Sequence, residues 1–210
     1  MLFLLIVLST TIVALNSCSQ DDAGSEQSSN SPTSDRGVVI NGVKWATRNV
    51  DKPGTFAAKP EDAGMFYQWN RKVAWPTTGD ITGWDNSTST GTAWEKSNDP
   101  SPAGWCVPTS NEIIKLLDTN KVSNEWTIQN GVNGRKFTDK DSGNTLFLPA
   151  VGYRFYSDGM LDDVGTYGTY WSSTQGNIDN ADGLAFNIDN VNRSNIYRAY
   201  GFSVRCVAEK

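Results

Sequence analysis

Hydrophobic and polar residues alternate along much of the chain after Gly37, a pattern typical of strands with one buried face. Two such segments, residues 38–40 and 43–46, flank Asn41-Gly42, the dipeptide that most strongly predicts a tight hairpin turn. Four more strands are predicted at residues 145–148, 153–156, 170–174 and 184–188. A last strand places four residues on its apolar face: Tyr200, Phe202, Val204 and Cys206. The pattern predicts a chain built mainly from antiparallel strands.

One segment departs from this alternation and predicts a helix. Thr109 and Glu112 have the spacing of a capping box, in which each side chain bonds the other's backbone N–H at a helix start. An apolar stripe at i, i+3 and i+4 follows, formed by Ile113, Leu116 and Leu117. We therefore expect a single clear helix near residues 110–118.

A long polar segment, residues 70–99, is predicted to be mostly loop. It is rich in Thr, Ser, Gly and Asn and carries Trp75, Trp84 and Trp94. Loops of this length are usually functional or disordered, and disordered segments are poor in aromatic residues. These three rings are therefore the candidate ligand-binding residues, although a tryptophan that pins its own loop is at least as common as one that binds a ligand.

The first fifteen residues are apolar and uncharged, but shorter than the roughly 20 residues that a membrane-spanning helix requires. Polar chain follows directly, which is typical of a cleaved signal peptide. Leu15-Asn16-Ser17-Cys18 resembles a bacterial lipobox, so we expect residues 1–17 to be removed and Cys18 to be lipidated. The alternative is an ordinary signal peptide with a chance cysteine near its end. Asp21-Asp22 resembles an export tag that places lipoproteins on the outer face of the outer membrane.

The next segment, residues 18–36, is rich in serine and acidic residues and lacks large apolar side chains after the cysteine. Such a composition cannot form a core, so it predicts a flexible tether. The globular domain is expected to comprise residues 37–210. That length is sufficient for one domain.

Composition narrows the range of functions. The chain has 18 Lys and Arg residues against 23 Asp and Glu, a net charge of −5, which disfavours a nucleic-acid partner. It has no histidine, which excludes Ser-His-Asp triads and imidazole metal sites. We therefore expect no catalytic residue, no metal site and no cofactor. A pair of carboxylates, as in glycosidases, remains as an enzymatic alternative.

Three cysteines are present, and lipidation of Cys18 leaves Cys106 and Cys206. In an exported protein two remaining cysteines usually form a disulfide, which is the prediction here, with two free thiols as the alternative. Neither residue belongs to a CxxC motif, so a redox-active or zinc-binding role has no support.

Several motifs occur in a recognisable order along the chain. They are Asn41 to Asn49, Ala103 to Thr109, Leu148 to Arg154, Tyr170 to Thr174 and Gly201 to Val207. Over about residues 37–208 the sequence resembles the Fibrobacter succinogenes major paralogous domain (FISUMP), common in lipoproteins of Bacteroidetes and Fibrobacteres. The resemblance implies an α+β fold, namely a single C-type-lectin-like domain that is mostly antiparallel β with one clear helix and long loops. This family has no agreed biochemical activity.

Sugar-binding C-type lectins bind calcium through an acidic-Pro-Asn or Gln-Pro-Asp triplet and a Trp-Asn-Asp triplet, and these signatures do not carry over. Trp171 is followed by Ser172-Ser173, which offers hydroxyl groups rather than a carboxylate. The function expected is a non-catalytic, surface-exposed binding module, with an extracellular glycan as partner through the loop tryptophans. The alternatives are a structural or adhesin subunit that binds another surface protein and, less favoured, a carbohydrate-active enzyme.

Overall fold

The structure of the protein is a computed structural model that describes residues 31–210. The predicted signal peptide at residues 1–17 and the lipidation at Cys18 lie outside the described residues. Within the described residues, no helix is both long and apolar enough to cross a membrane.

The described chain consists mostly of short strands joined by loops. In chain order the elements are β1 (Val38–Ile40), β2 (Val43–Trp45), β3 (Tyr67–Gln68), a 3-10 turn (Lys96–Asn98), β4 (Trp105–Cys106), α1 (Ser110–Leu116), β5 (Val122–Gln129), β6 (Val132–Asp139), β7 (Thr145–Pro149), β8 (Tyr153–Arg154), β9 (Leu161–Asp162), β10 (Gly168–Gln175), β11 (Asn180–Phe186), β12 (Val191–Tyr197), β13 (Gly201–Phe202) and β14 (Val207–Ala208).

The strands form four sheets, and every pairing between them is antiparallel among the described residues. The strand orders are β1-β2-β14-β4, β5-β6-β7, β10-β11-β12 and β3-β13-β8-β9. Strand accounts for 38% of the structure and helix for only 6%. The expected α+β class is therefore wrong, and the fold is β-rich with little helix.

The physical reason is that the helix stays short while strands occupy segments where none was predicted. The capping box at Thr109 and Glu112 is present, as predicted, but α1 ends at Leu116 and has seven residues. The eight-residue strands β5 and β6 form a hairpin whose turn, Asn130-Gly131, has positive φ at both residues (48° and 84°). This is the same turn chemistry as the predicted and observed β1–β2 turn at Asn41-Gly42.

Two hydrophobic cores are buried between these sheets, and β10 contributes to both. Because successive strand residues point to opposite faces, Tyr170 packs into the first core and Trp171 into the second. The first core also includes Ile40, Trp45, Ile113, Leu116, Phe137, Leu148 and Phe186. The second includes Tyr67, Trp69, Trp94, Trp105, Phe202, Val204 and Cys206.

Three buried arginines hold the long loops against the sheets. Arg154 on β8 donates hydrogen bonds to the carbonyl oxygens of Pro76, Thr78, Gly79 and Gly159. Arg198 donates to those of Ser89, Gly91, Asn177 and Asn180 and lies 4.1 Å from the centre of the Trp69 ring.

Arg205 is the third of these residues, and it donates to the carbonyl oxygens of Ala46 and Pro60 and to Asn49 Oδ1. None of the three forms an ion pair with a described carboxylate. Each guanidinium is instead satisfied mainly by main-chain oxygens, as a buried charge requires.

The segment before residue 37 also packs on the domain. Asp35 and Arg48 form a buried ion pair, with Arg48 Nε 3.2 Å from Asp35 Oδ2 and side chains only 1% and 5% exposed. The Asp35 carboxylate also accepts hydrogen bonds from Gly37 N and from Thr47 N and Oγ1. Arg48 in turn donates to the carbonyl oxygens of Ser31 and Ser34. A domain that starts at residue 37 would lose these contacts.

The predicted disulfide between Cys106 and Cys206 is not formed, since the structure contains both as free thiols. In the β4–β14 pairing Cys106 lies opposite Val207, so Cys206 precedes the partner residue and points to the other face. Cys206 is completely buried in the second core, and its Sγ lies 2.9 Å from Ser101 Oγ. Cys106 packs against the first core, so the two thiols belong to different cores.

Candidate functional site

Trp94, one of the three predicted ligand-binding residues, is a core residue. Its side chain is 8% exposed and packs edge-on against Trp69, with ring centres 6.0 Å apart. The indole Nε1 donates a hydrogen bond to the carbonyl oxygen of Asn98, 2.9 Å away. The expectation of an exposed ring is therefore wrong for Trp94, because a polar loop sequence does not reveal that the ring folds back into the core.

Trp75 and Trp84 lie together, half-buried, with ring centres 4.9 Å apart. Trp84 Nε1 donates to the carbonyl oxygen of Tyr156 at 2.9 Å. A Cβ atom at Gly159 or Gly201 would come within 2.8 Å of the Trp84 ring, so this ring is wedged against β13 and the β8–β9 turn. The two tryptophans therefore pin their loop to the sheet.

The residues that do line a concave surface are tyrosines from other parts of the chain. Tyr153 on β8, Tyr167 before β10 and Tyr200 before β13 line a groove of about 220 Å³, which we call the aromatic groove. Its remaining lining is formed by Asp163, Thr169, Ala185, Ser194, Ile196 and Phe202. The pairing of β13 with β8, through Gly201 and Arg154, is what brings Tyr200 and Phe202 beside Tyr153.

Tyr153 is the centre of this groove. Its ring makes edge-to-face contacts with Tyr167, Tyr200 and Phe202, with ring centres 6.3, 5.7 and 6.0 Å away. Phe202 is buried beneath the groove, whereas the three tyrosines are half-buried. Edge-to-face packing fixes the orientation of each ring, so the groove is formed before any ligand binds.

Asp163 supplies the charge of the groove. Its backbone has a positive φ of 55°, and its Oδ2 accepts a hydrogen bond from the Tyr153 hydroxyl at 3.1 Å. Burial, reinforced by Asp163, raises the pKa of Tyr153 above its ordinary value, and burial likewise raises the pKa of Tyr200. Both phenols therefore keep their protons at neutral pH. The groove thus combines apolar ring surface with hydroxyl groups and one carboxylate.

The sequence predictions missed Tyr153, Tyr167, Tyr200 and Asp163 as site residues. A signal was present, since six of the seven tyrosines occur within residues 153–200, and Tyr67 is the exception. The sequence pattern placed Tyr200 on the apolar face of the last strand and Tyr153 at the start of another, and it assigned neither residue to a site. No group of three or more His, Cys, Asp or Glu residues able to hold a metal ion occurs within residues 31–210.

Comparison with known proteins gives one match. A family model described as a domain of unknown function (DUF8237) matches residues 112–207. No curated protein and no solved structure matches the chain. The matched segment runs from within α1 to the first residue of β14 and includes every residue that lines the aromatic groove. In this half of the molecule the chain is similar to the DUF8237 family.

Proposed function

We propose that this protein is a non-catalytic binding module for extracellular carbohydrate and that the aromatic groove is its binding site. The observation that carries the proposal is the fixed set of half-buried tyrosines around Tyr153, beside the carboxylate of Asp163. Aromatic faces pack against the apolar C–H faces of sugar rings, while hydroxyl and carboxylate oxygens bind sugar hydroxyls. A groove with few, convergent polar groups on an apolar lining is typical of small-ligand sites.

Charge favours a neutral sugar. The groove carries one negative charge, at Asp163, and the whole chain has a net charge of −5. Both repel uronic acids and sulfated or phosphorylated glycans. The ligand class that fits the groove is therefore an uncharged saccharide.

The test is a glycan array followed by titration of the best binder with two groove variants. Asp163→Asn keeps the left-handed backbone, which Asn tolerates, but removes the charge. Tyr167→Ala removes ring surface and should weaken binding by about 1 kcal/mol, several-fold in Kd.

The matched controls are Asp141→Asn and Ile128→Ala, at exposed positions associated with the β5-β6-β7 sheet. Both controls should bind like the wild type. Equal binding by all four variants, or no glycan bound by the wild type, would refute the proposal. In the second case a protein-binding role in a surface assembly would replace it.

The cellular location belongs to the same proposal. A lipid at Cys18 and export by Asp21-Asp22 would hold the domain on the cell exterior, where extracellular polysaccharides occur. The FISUMP resemblance supports this location, since those domains are common in lipoproteins. Cys18→Ala should abolish labelling with a palmitate analogue and release the protein from membranes. Unchanged labelling would contradict lipidation.

A further inference from the structure

Aromatic rings continue beyond the aromatic groove in one direction. Tyr200 packs against Tyr156 with ring centres 5.2 Å apart, and Tyr156 against Tyr197 at 5.3 Å. Tyr156 is 38% exposed, and Tyr197 and Tyr200 are half-buried. We call these three residues the tyrosine ladder. It extends the apolar surface of the groove well beyond the size of a single sugar ring.

The tyrosine ladder leads to a second concave surface. The Tyr197 hydroxyl lies 2.8 Å from Thr88 Oγ1, within hydrogen-bond distance. Thr88 lines an open cleft of about 750 Å³, which we call the polar cleft, together with Asn70, Lys72, Glu95 and Asn98. The polar cleft belongs to residues 70–99, the loop in which ligand binding was expected, but it is lined by amide, hydroxyl and charged groups rather than by tryptophans.

The polar cleft is held in shape by its own hydrogen bonds. Asn70, which is buried, accepts from Glu95 N at 2.8 Å and from Asn98 Nδ2 at 3.2 Å, and donates to the carbonyl oxygen of Thr90. Arg198 holds the same part of the loop through its bonds to the carbonyl oxygens at residues 89 and 91. A preformed cleft lowers the entropic cost of ordering a ligand.

The charges in the polar cleft suit a neutral ligand. Lys72 and Glu95 carry opposite charges, and Arg71 is paired with Asp85. The polar cleft therefore has no strong net charge that would select an anionic or a cationic polymer. Its amide and hydroxyl groups can form hydrogen bonds with sugar hydroxyl groups.

The geometry points to one extended site, formed by the aromatic groove, the tyrosine ladder and the polar cleft, that binds the interior of a neutral polysaccharide chain. This inference rests on the proposed carbohydrate binding and adds the form of the ligand. Several consecutive sugar units contact the protein at once. A site for a chain end or a single sugar would need only the aromatic groove.

The experiment is isothermal titration of the full chain, purified in detergent micelles, with linear neutral glucan, xylan, mannan and galactan oligosaccharides. Each series contains two, four and six sugars. In the series that binds, affinity should rise at least tenfold from two to six sugars, about 1.4 kcal/mol. Affinity that does not depend on length would overturn the extended site and leave the proposed function intact. The absence of binding to every series would overturn both.

Two variants locate the gain in affinity. Lys72→Met in the polar cleft and Tyr156→Ala in the tyrosine ladder should each reduce the gain in affinity from two to six sugars. Lys72 is exposed, so its variant remains informative if Tyr156→Ala fails to fold. Lys140→Met, at an exposed position after β6, is the control and should retain the full gain. The inference would be overturned if Lys72→Met kept the full gain in affinity from two to six sugars and Tyr156→Ala, where it folds, kept it as well.

Discussion

The contacts of Asp35 predict that the domain loses much of its stability when this residue is changed or removed. Oδ1 accepts from Gly37 N at 2.8 Å and from Thr47 N at 3.1 Å, and Oδ2 accepts from Thr47 Oγ1 and from Arg48 Nε. In Asp35→Asn one of these acceptors becomes an NH₂ group that faces donors, and the buried Arg48 loses its counter-ion.

The size of the loss follows from burial. Removing one partner of a buried ion pair typically costs about 3–5 kcal/mol. Arg48 keeps its hydrogen bond to the carbonyl oxygen of Ala57, so the lower end, about 3 kcal/mol, is expected for Asp35→Asn. Since the free energy of unfolding of a whole domain is only about 5–15 kcal/mol, this loss is a large fraction of the total stability. A chain that starts at residue 37 lacks Asp35 and should be destabilised at least as much.

The assay is urea unfolding followed by tryptophan fluorescence, on residues 31–210, on the same chain with Asp35→Asn, and on residues 37–210. With a slope of about 2 kcal/mol per M, the loss appears as a midpoint lowered by about 1.5 M. Asp141→Asn is the control, because its ion pair with Lys121 is exposed and is worth less than about 1 kcal/mol. Equal midpoints for residues 31–210 and 37–210 would refute the reasoning.

Three further predictions concern other buried groups. Trp94→Ala should lower the free energy of unfolding by about 3–5 kcal/mol, measured by thermal or urea unfolding, because the substitution opens a cavity in the second core. An unchanged free energy of unfolding would contradict the burial of Trp94. Cys106 and Cys206 should both be alkylated in urea without a reductant, because both are free thiols. In the folded protein Cys206 should resist alkylation, because burial raises the pKa of its thiol well above the usual value. A disulfide-linked peptide found by mass spectrometry would contradict this prediction. Hydrogen bonds from Asn41 N and from residue 142 lower the pKa of Asp139 to about 2, below its unfolded value of about 3.9. The stabilising effect of the Asp139 carboxylate is therefore complete above about pH 4 and is lost as the pH falls towards 2. The melting temperature of Asp139→Asn should therefore fall less than that of the wild type between about pH 4 and pH 2.

Local signals in the sequence predicted local structure well. The capping box placed the start of α1, and Asn41-Gly42 placed the β1–β2 turn, because both depend on neighbouring residues alone. The same dipeptide signal at Asn130-Gly131 was available for the β5–β6 hairpin. The expected α+β class failed because it came from a resemblance of short motifs rather than from these local patterns.

The site could not be read from the sequence, because it is assembled by tertiary pairing. Tyr153 and Tyr200 lie far apart in the chain and meet only through the pairing of β8 with β13. The same applies to Trp94, whose polar neighbours predict exposure, while its ring reaches Trp69 across the second core. The sequence pattern shows where the aromatic residues are, but the order of strands in the sheets decides which of their rings remain on the surface.

The manner in which Arg154 and Arg198 hold the loops affects how the surface can evolve. Both bind main-chain carbonyl oxygens, which every residue type carries, rather than particular side chains. Pro76, Thr78 and Ser89 can be exchanged without losing the anchors. Gly79 and Gly91 have φ values of 68° and 103°, a backbone conformation that favours glycine, so these two positions are constrained. Related chains can therefore keep the same loop path while they change the side chains that it presents, so that one framework acquires new ligand preferences through substitutions in the loops alone.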